Sequence, residues 1–303
     1  MRKLEVLSIK DVEHLCKHLR CGREELGRFC AHPERYYRQF SMNVKGKPRP
    51  IATPLGRFCE ILYCLKLLLD RIALPPWVQG GIKGCSPRTN ASYHINKPAV
   101  LNFDIADFFP SIRPYLVYKL FCNKLGCSPD VARILTRLTT LNRGLPQGSP
   151  TSTIVANLVI LHLTERMKSL ADKHLCDYSQ FVDDGAISGP AYIENLRPLI
   201  DKIIRQERFC ASPKPKKRVT MYRSDEQVVT GVKVNKRIDV PLPKVEKLRE
   251  ELCQLDIKIR TGTKPSDSEI ASLKGKIQFI NTLSAQKGNR FRTRLMRILK
   301  HAS

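Results

Sequence analysis

Two adjacent aspartates, Asp183 and Asp184, stand where two short apolar runs meet, Phe181-Val182 before them and Gly185-Ala186-Ile187 after. The pattern predicts two strands joined by a tight turn. A third aspartate, Asp104, stands near the end of a further apolar strand, predicted over Ala99–Ile105. Adjacent carboxylates in such surroundings are costly unless a cation neutralises them. Two-metal phosphoryl transfer uses this arrangement, with carboxylates holding two Mg²⁺ ions about 4 Å apart. Mg²⁺ keeps waters and substrate phosphates in its shell, so two or three carboxylates suffice. An Asp-Asp pair by itself is a weak signal, because surface turns carry such pairs too.

The charge balance supplies context. The chain has 53 Lys and Arg against 28 Asp and Glu, a net charge of +25. Folding requires no such excess, since like charges repel in the compact state. It reads as the footprint of a polyanion, nucleic acid before all others. Apolar residues make up 42% of the 303, enough for a sizeable core. The 11 cysteines are odd in number and form no Cys-x-x-Cys pair, which argues for reduced thiols rather than a disulfide scaffold. His14, Cys16, His18, Cys21, Cys30 and His32 match no familiar zinc spacing. Neither a signal peptide nor an apolar membrane span is visible, so a soluble, cytoplasmic protein without membrane contact is expected.

Hydrophobic periodicity predicts helices over Leu4–Cys30 (broken near Gly22), Leu55–Leu74, Pro114–Gly126, Pro129–Leu141, Thr151–Leu170 and Tyr192–Phe209. Arg35–Pro50 is basic, has Tyr36, Tyr37 and Phe40 interleaved, and ends in the turn-like Lys45-Gly46-Lys47-Pro48. Gln79–Arg88 reads as a glycine-rich loop and Val228–Val240 as a hairpin. From Lys244 onward the pattern is helical, with breaks near Thr261–Pro265 and Lys287–Asn289. The sum is a mixed α/β core followed by a basic helical tail.

Three blocks resemble reverse transcriptase motifs in the family's order. Leu101-Asn102-Phe103-Asp104-Ile105-Ala106-Asp107-Phe108-Phe109 resembles motif A. Gly144-Leu145-Pro146-Gln147-Gly148-Ser149-Pro150, followed by Ala156-Asn157, resembles motif B, with Thr153 where many relatives carry proline. Phe181-Val182-Asp183-Asp184 resembles motif C, with Phe in place of the more frequent Tyr. The resemblance implies a right-hand polymerase of the α/β (α+β) class, with an antiparallel palm sheet and a helical thumb. It implies boundaries at 1–98 for N-terminal helices and fingers, 99–240 for the palm with inserted fingers segments, and 241–303 for the thumb. Asp104, Asp183, Asp184 and the Ile105 backbone would hold two Mg²⁺ ions. Asp107, Phe108, Phe109, Gln147 and Gly148 would contact a deoxynucleoside triphosphate, with Phe109 as the aromatic gate that excludes a 2′-hydroxyl. Lys47 and Arg49 would grip its triphosphate, with Lys45 able to replace Lys47. Among Lys214, Lys216 and Lys217, Lys216 best fits the motif D lysine that protonates pyrophosphate.

Two further blocks resemble bacterial retron reverse transcriptases: Asn90-Ala91-Ser92-Tyr93-His94 and Val229-Thr230-Gly231. That resemblance implies a cognate structured non-coding RNA of the msr-msd type. The RNA is copied into branched msDNA from a guanosine 2′-OH, in anti-phage defence alongside a separate effector protein. Asn90 and His94 would contact or support that RNA; Lys274, Lys276, Lys287, Arg290, Arg292, Arg294 and Arg297 would grip it through the thumb. Other bacterial reverse transcriptases (intron-type, diversity-generating or abortive-infection) and a nucleic-acid-binding scaffold or antitoxin component are the competing readings.

Overall fold

The computed structural model describes residues 7–44, 47–214 and 218–300. At the N-terminus α1 (Val12–Leu19) and α2 (Arg23–Ala31) are separated near Gly22, as the sequence predicts. The Asp11 side chain caps α1 by accepting the His14 N–H, and Arg20 closes it in the left-handed conformation. The hairpin β1 (Tyr37–Val44) and β2 (Lys47–Pro54) follows, then α3 (Gly56–Leu69) and the short α4 (Pro87–Ser92). The next segment comprises β3 (Ala99–Asp104), α5 (Phe108–Ser111), α6 (Pro114–Lys119), α7 (Pro129–Thr139), α8 (Ser152–Val159) and α9 (Leu161–Lys173). The chain then forms β4 (Asp177–Phe181), β5 (Asp184–Gly189), α10 (Arg197–Gln206), β6 (Thr220–Tyr222), β7 (Val228–Val229) and β8 (Val232–Lys233). It closes with α11 (Leu242–Arg260), α12 (Asp267–Leu283) and α13 (Ala285–Lys300). Among the described residues no helix is long and apolar enough to cross a membrane.

The central sheet has the order β4-β5-β3-β6, every neighbouring pair antiparallel. β3, one of its two inner strands, reads as a nearly continuous apolar run because both faces are covered. Leu101 and Phe103 belong to a core shared with α3, α7 and α8, whereas Val100 belongs to a second core shared with α11, α12 and α13. Alternation along a strand thus feeds two cores at once. Each fully buried side chain of this kind contributes about 1.5–3 kcal/mol. The fold class is the expected one: an antiparallel palm sheet, with a helical segment at the C-terminus.

The second core also takes in Ala91 of α4 and Val229, Val232, Val234 and Val240 around the β7–β8 hairpin. Helices α11, α12 and α13 therefore share their core with residues that precede position 241.

Three local expectations need correction, and one segment left without an element takes a definite form. The basic run Arg35–Pro50, for which the pattern names no element, forms β1 and the start of β2. The signal was masked by Pro48, Pro50 and Pro54, which stand at even-numbered positions of β2. That spacing puts the missing donors on the edge facing away from β1, where proline is tolerated. The helix predicted over Thr151–Leu170 is interrupted at Ile160, whose φ of −82° and ψ of 5° lie outside the helical region. The apolar rhythm continues across the break because α8 and α9 face the same core. The segment predicted as one helix from Tyr192 opens as a 3₁₀ turn, Ala191–Leu196, before α10. The last thumb break falls at Ser284 rather than at Lys287–Asn289. Gly288 serves close helix approach: a Cβ there would lie 2.5 Å from Asn281 Cα.

Candidate active site

The register of the sheet brings the three aspartates together. Asp104, the last residue of β3, pairs with Asp184, the first of β5. Phe181 pairs with Asp184 across the β4–β5 turn, which leaves Val182 and Asp183 as its two central residues. One ligand atom from each of Asp104, Asp183 and Asp184 lies within 4.8 Å of the others. Asp104 is buried; Asp183 and Asp184 are half-buried. All three offer hard carboxylate oxygens and no nitrogen or sulfur, which suits a hard, oxygen-seeking divalent cation.

The turn is strained and held. Val182 has a φ of +58°, rare for a β-branched residue and costing on the order of 1–3 kcal/mol. The surroundings leave little choice. Gln180 Nε2 donates to Val182 O at 2.9 Å, and Gln180 Oε1 accepts from Tyr178 Oη at 2.8 Å. The backbone of Gln180 bonds Trp77 O and Gln79 N–H, both at 2.8 Å. Gly80 lies against the turn so closely that a Cβ would stand 2.3 Å from Val182 N. The buried Asn157 side chain donates to Gly80 O at 2.8 Å, tying α8 to the same loop. From the other side Ile105 N–H donates to Asp183 O at 3.1 Å. Sequence reasoning identified the aspartates but gave no role to Gly80, Asn157 or Gln180. Gly80 fell within a loop named only for its glycines, and Asn157 within a motif.

Motifs A and B meet through their backbones. Leu145 N–H donates to Phe109 O at 3.0 Å. The half-buried Phe109 ring packs against the palm core, 5.4 Å from the Phe108 ring between centroids. Asp107 is exposed with a φ of +44°. Gly148 has a φ of +114°, and a Cβ there would lie 3.0 Å from Ala52 O. Ala52 N–H, on the proline-bearing edge of β2, donates to Gln147 O at 2.7 Å. The fingers hairpin is docked onto motif B in this way. Gln147 lines a groove of about 490 Å³ together with Phe40, Ile51 and Pro110. Arg49 is exposed on β2, and Lys47 opens that strand. Lys45, Lys216 and Lys217 lie outside the described residues.

Asn90 and His94 are fully buried, so neither presents a surface to RNA in this conformation. His94 Nδ1 lies 2.7 Å from Ser188 Oγ on β5, and Nε2 lies 2.8 Å from Ser179 Oγ on β4. The ring thus clamps the two strands that form the aspartate turn. Burial pushes its pKa down to about 3; Asp177 opposes the shift and Lys97 adds to it. Asn90 Nδ2 donates to Thr230 Oγ1 at 3.3 Å, which joins the two retron-like elements to each other.

The His94 environment has a consequence for stability. A histidine held neutral when folded, but free to protonate near 6.5 when unfolded, destabilises the fold as pH falls below 6.5 toward 3. At pH 5 the loss amounts to about 2 kcal/mol relative to pH 8. Urea unfolding of the wild type and of His94→Asn at both pH values measures it. The variant is less stable at pH 8, and the gap narrows by about 2 kcal/mol at pH 5. Parallel behaviour of the two proteins would assign the titration to another group.

On the thumb, Lys276 Nζ pairs with Glu251 at 2.7 Å and Lys287 Nζ with Asp239 at 2.7 Å. Lys274, Arg290, Arg292 and Arg297 are exposed and Arg294 is half-buried.

No protein-family model matches the chain. Several curated retron reverse transcriptases do. The chain is 24% identical to the retron Ec86 reverse transcriptase of Escherichia coli, over 99% of this chain and 93% of that protein. It is 29% identical to the retron Mx65 reverse transcriptase of Myxococcus xanthus, over 76% of this chain and 57% of that protein. A solved structure of telomerase from Candida albicans, in complex with a TWJ fragment of telomeric RNA, superposes with a TM-score of 0.48. It is 11% identical and covers 88% of this chain and 59% of that one. The homology along nearly the whole chain stands with three carboxylates gathered at the seam of an antiparallel palm sheet: the protein is a homologue of the retron reverse transcriptases and an RNA-directed DNA polymerase.

Proposed function

We propose that the protein copies a structured non-coding RNA partner, of the msr-msd type, into DNA joined to that RNA through a guanosine 2′-OH. We further propose that it does so within an anti-phage retron system that includes a separate effector. The reading is carried by one observation: the match to a retron reverse transcriptase extends over 99% of this chain. The joined Asn90–Thr230 elements and the basic thumb agree with it.

In this reading Asp104, Asp183 and Asp184 hold two Mg²⁺ ions. Bound metal there lowers the pKa of the attacking hydroxyl and neutralises charge on the leaving pyrophosphate. The protein's own residues do the rest. The strained turn holds Asp183 in place before substrate arrives, so no reorganisation is needed during reaction. Phe109, fixed through its carbonyl to Leu145, occupies the side of the site where a ribose 2′-hydroxyl would stand. Gln147 and Gly148 offer a close backbone approach to the nascent base pair. Lys47 and Arg49 supply positive charge to the triphosphate. The exposed Lys274, Arg290, Arg292 and Arg297, with Arg294, meet the phosphates of an RNA stem, which is read largely by shape.

The test is chemical. Nucleic acid copurified with the protein is treated with ribonuclease, with and without a 2′-5′ debranching enzyme, and run on a denaturing gel. The expected result is a slow-migrating species that collapses to single-stranded DNA of defined length after debranching. DNA with a free 5′ end, or linked to protein, would overturn the branched-product reading and leave the polymerase standing.

A further inference from the structure

The last four carbonyls of any α-helix lack partners within the helix, and cations near that end are stabilised by the helix dipole. In the thumb, α11 carries Lys258 and Arg260 in its last turn and α13 carries Arg297 and Lys300. The last turn of α12 has no basic residue. Its cation comes from elsewhere in the chain. Arg88, on α4, donates from Nη1 to Thr282 O at 2.5 Å and to Leu283 O at 3.3 Å.

The element that supplies this cation is tied to the active site. A capping box between Ser86 and Thr89 rigidifies the start of α4. Thr89 Oγ1 donates to Gln79 Oε1 at 2.8 Å, and Gln79 N–H bonds Gln180 O next to the aspartate turn. Just past α4, His94 clamps Ser179 and Ser188 of the hairpin that carries Asp183 and Asp184. Asn90 reaches Thr230 in the β7–β8 turn, whose Gly231 O accepts from Lys244 Nζ of α11 at 2.8 Å. That ammonium also lies 4.4 Å from the centroid of the Phe279 ring on α12. One short segment, Arg88 to His94, thus touches both the thumb and the strands of the metal site.

We propose that Arg88 is a positioning residue. It fixes the seat of the thumb relative to the palm, and with it the point at which a duplex held by the thumb presents its primer end to the carboxylate cluster. The proposal rests on the polymerase reading. Its mark is on how long the duplex stays correctly seated rather than on the chemistry of one addition, because Arg88 bonds thumb backbone.

The test uses full-length wild type, Arg88→Ala and Arg88→Lys on an RNA template with an annealed DNA primer. Product length per binding event is measured with a heparin trap, alongside the rate of a single nucleotide addition. Arg88→Ala shortens products about tenfold or more, the factor one lost hydrogen bond to a charged group commands, while single addition stays within about twofold. Arg88→Lys regains most of the length, because an ammonium can donate to the same carbonyls. A purely structural role would lower the melting temperature and the active fraction while leaving product length per active enzyme unchanged. Unchanged lengths for Arg88→Ala, or a lysine variant no better than alanine, would overturn the proposal. Failure of the wild type to add even one nucleotide would instead count against the polymerase reading.

Discussion

Asp183→Asn abolishes DNA synthesis and leaves RNA affinity within about twofold of the wild type, because phosphate contacts come from the basic residues rather than the carboxylates. The aspartate stands at the apex of the strained β4–β5 turn, within 4.8 Å of carboxylate oxygens of Asp104 and Asp184. An amide keeps the size of the side chain and removes its charge. Loss of several kcal/mol of charge stabilisation slows nucleotide addition by about a thousandfold or more. Asp104→Asn has the same effect, since its partner in the register is Asp184. With a chelator present, the melting temperature of each variant is compared with that of the wild type, so that lost activity is not mistaken for a lost fold. Primer extension, RNA binding and thermal melting separate the three quantities. A double variant that still extends a primed template would remove the cluster from catalysis.

Phe109→Ala opens the enzyme to ribonucleotides. The backbone of Phe109 is held by the Leu145 hydrogen bond, so truncation of the ring leaves the loop in place and creates space. The expected change in the ratio of incorporation efficiencies, deoxy- over ribonucleotide, is a fall of about a hundredfold, the scale of one steric misfit in a fitted pocket. Phe109→Val gives a smaller fall. The ring also packs on Phe108 and the palm core, so Phe109→Ala lowers stability as well; comparing the ratio rather than the absolute rate cancels that loss. Full activity with an unchanged ratio would assign the gate to another residue.

Much of the site was legible because its chemistry is local in sequence. Asp183 and Asp184 are neighbours in the chain, and the apolar runs on either side of them mark a strand turn in the linear pattern alone. The basic excess and the order of the three motifs point to a nucleic-acid polymerase by the same kind of adjacency. The retron-like blocks were legible as patterns but not as roles. His94 reads as a candidate RNA contact until its ring is placed between Ser179 and Ser188, two side chains on different strands.

What the sequence determined by itself is the inventory: which residues carry charge, which faces are apolar, and which motifs follow one another. Only the tertiary structure decided the partnerships. Asp104 meets Asp184 through the β3–β5 register, Gly80 supports Val182 because Asn157 of a distant helix holds it, and Arg88 finishes a thumb helix whose last turn has no cation of its own. Hydrophobic period and turn chemistry act over a few residues and leave their mark in the local pattern. A hydrogen bond between groups far apart in the chain leaves none, because either partner alone looks like any other polar residue until packing of the two cores brings them together.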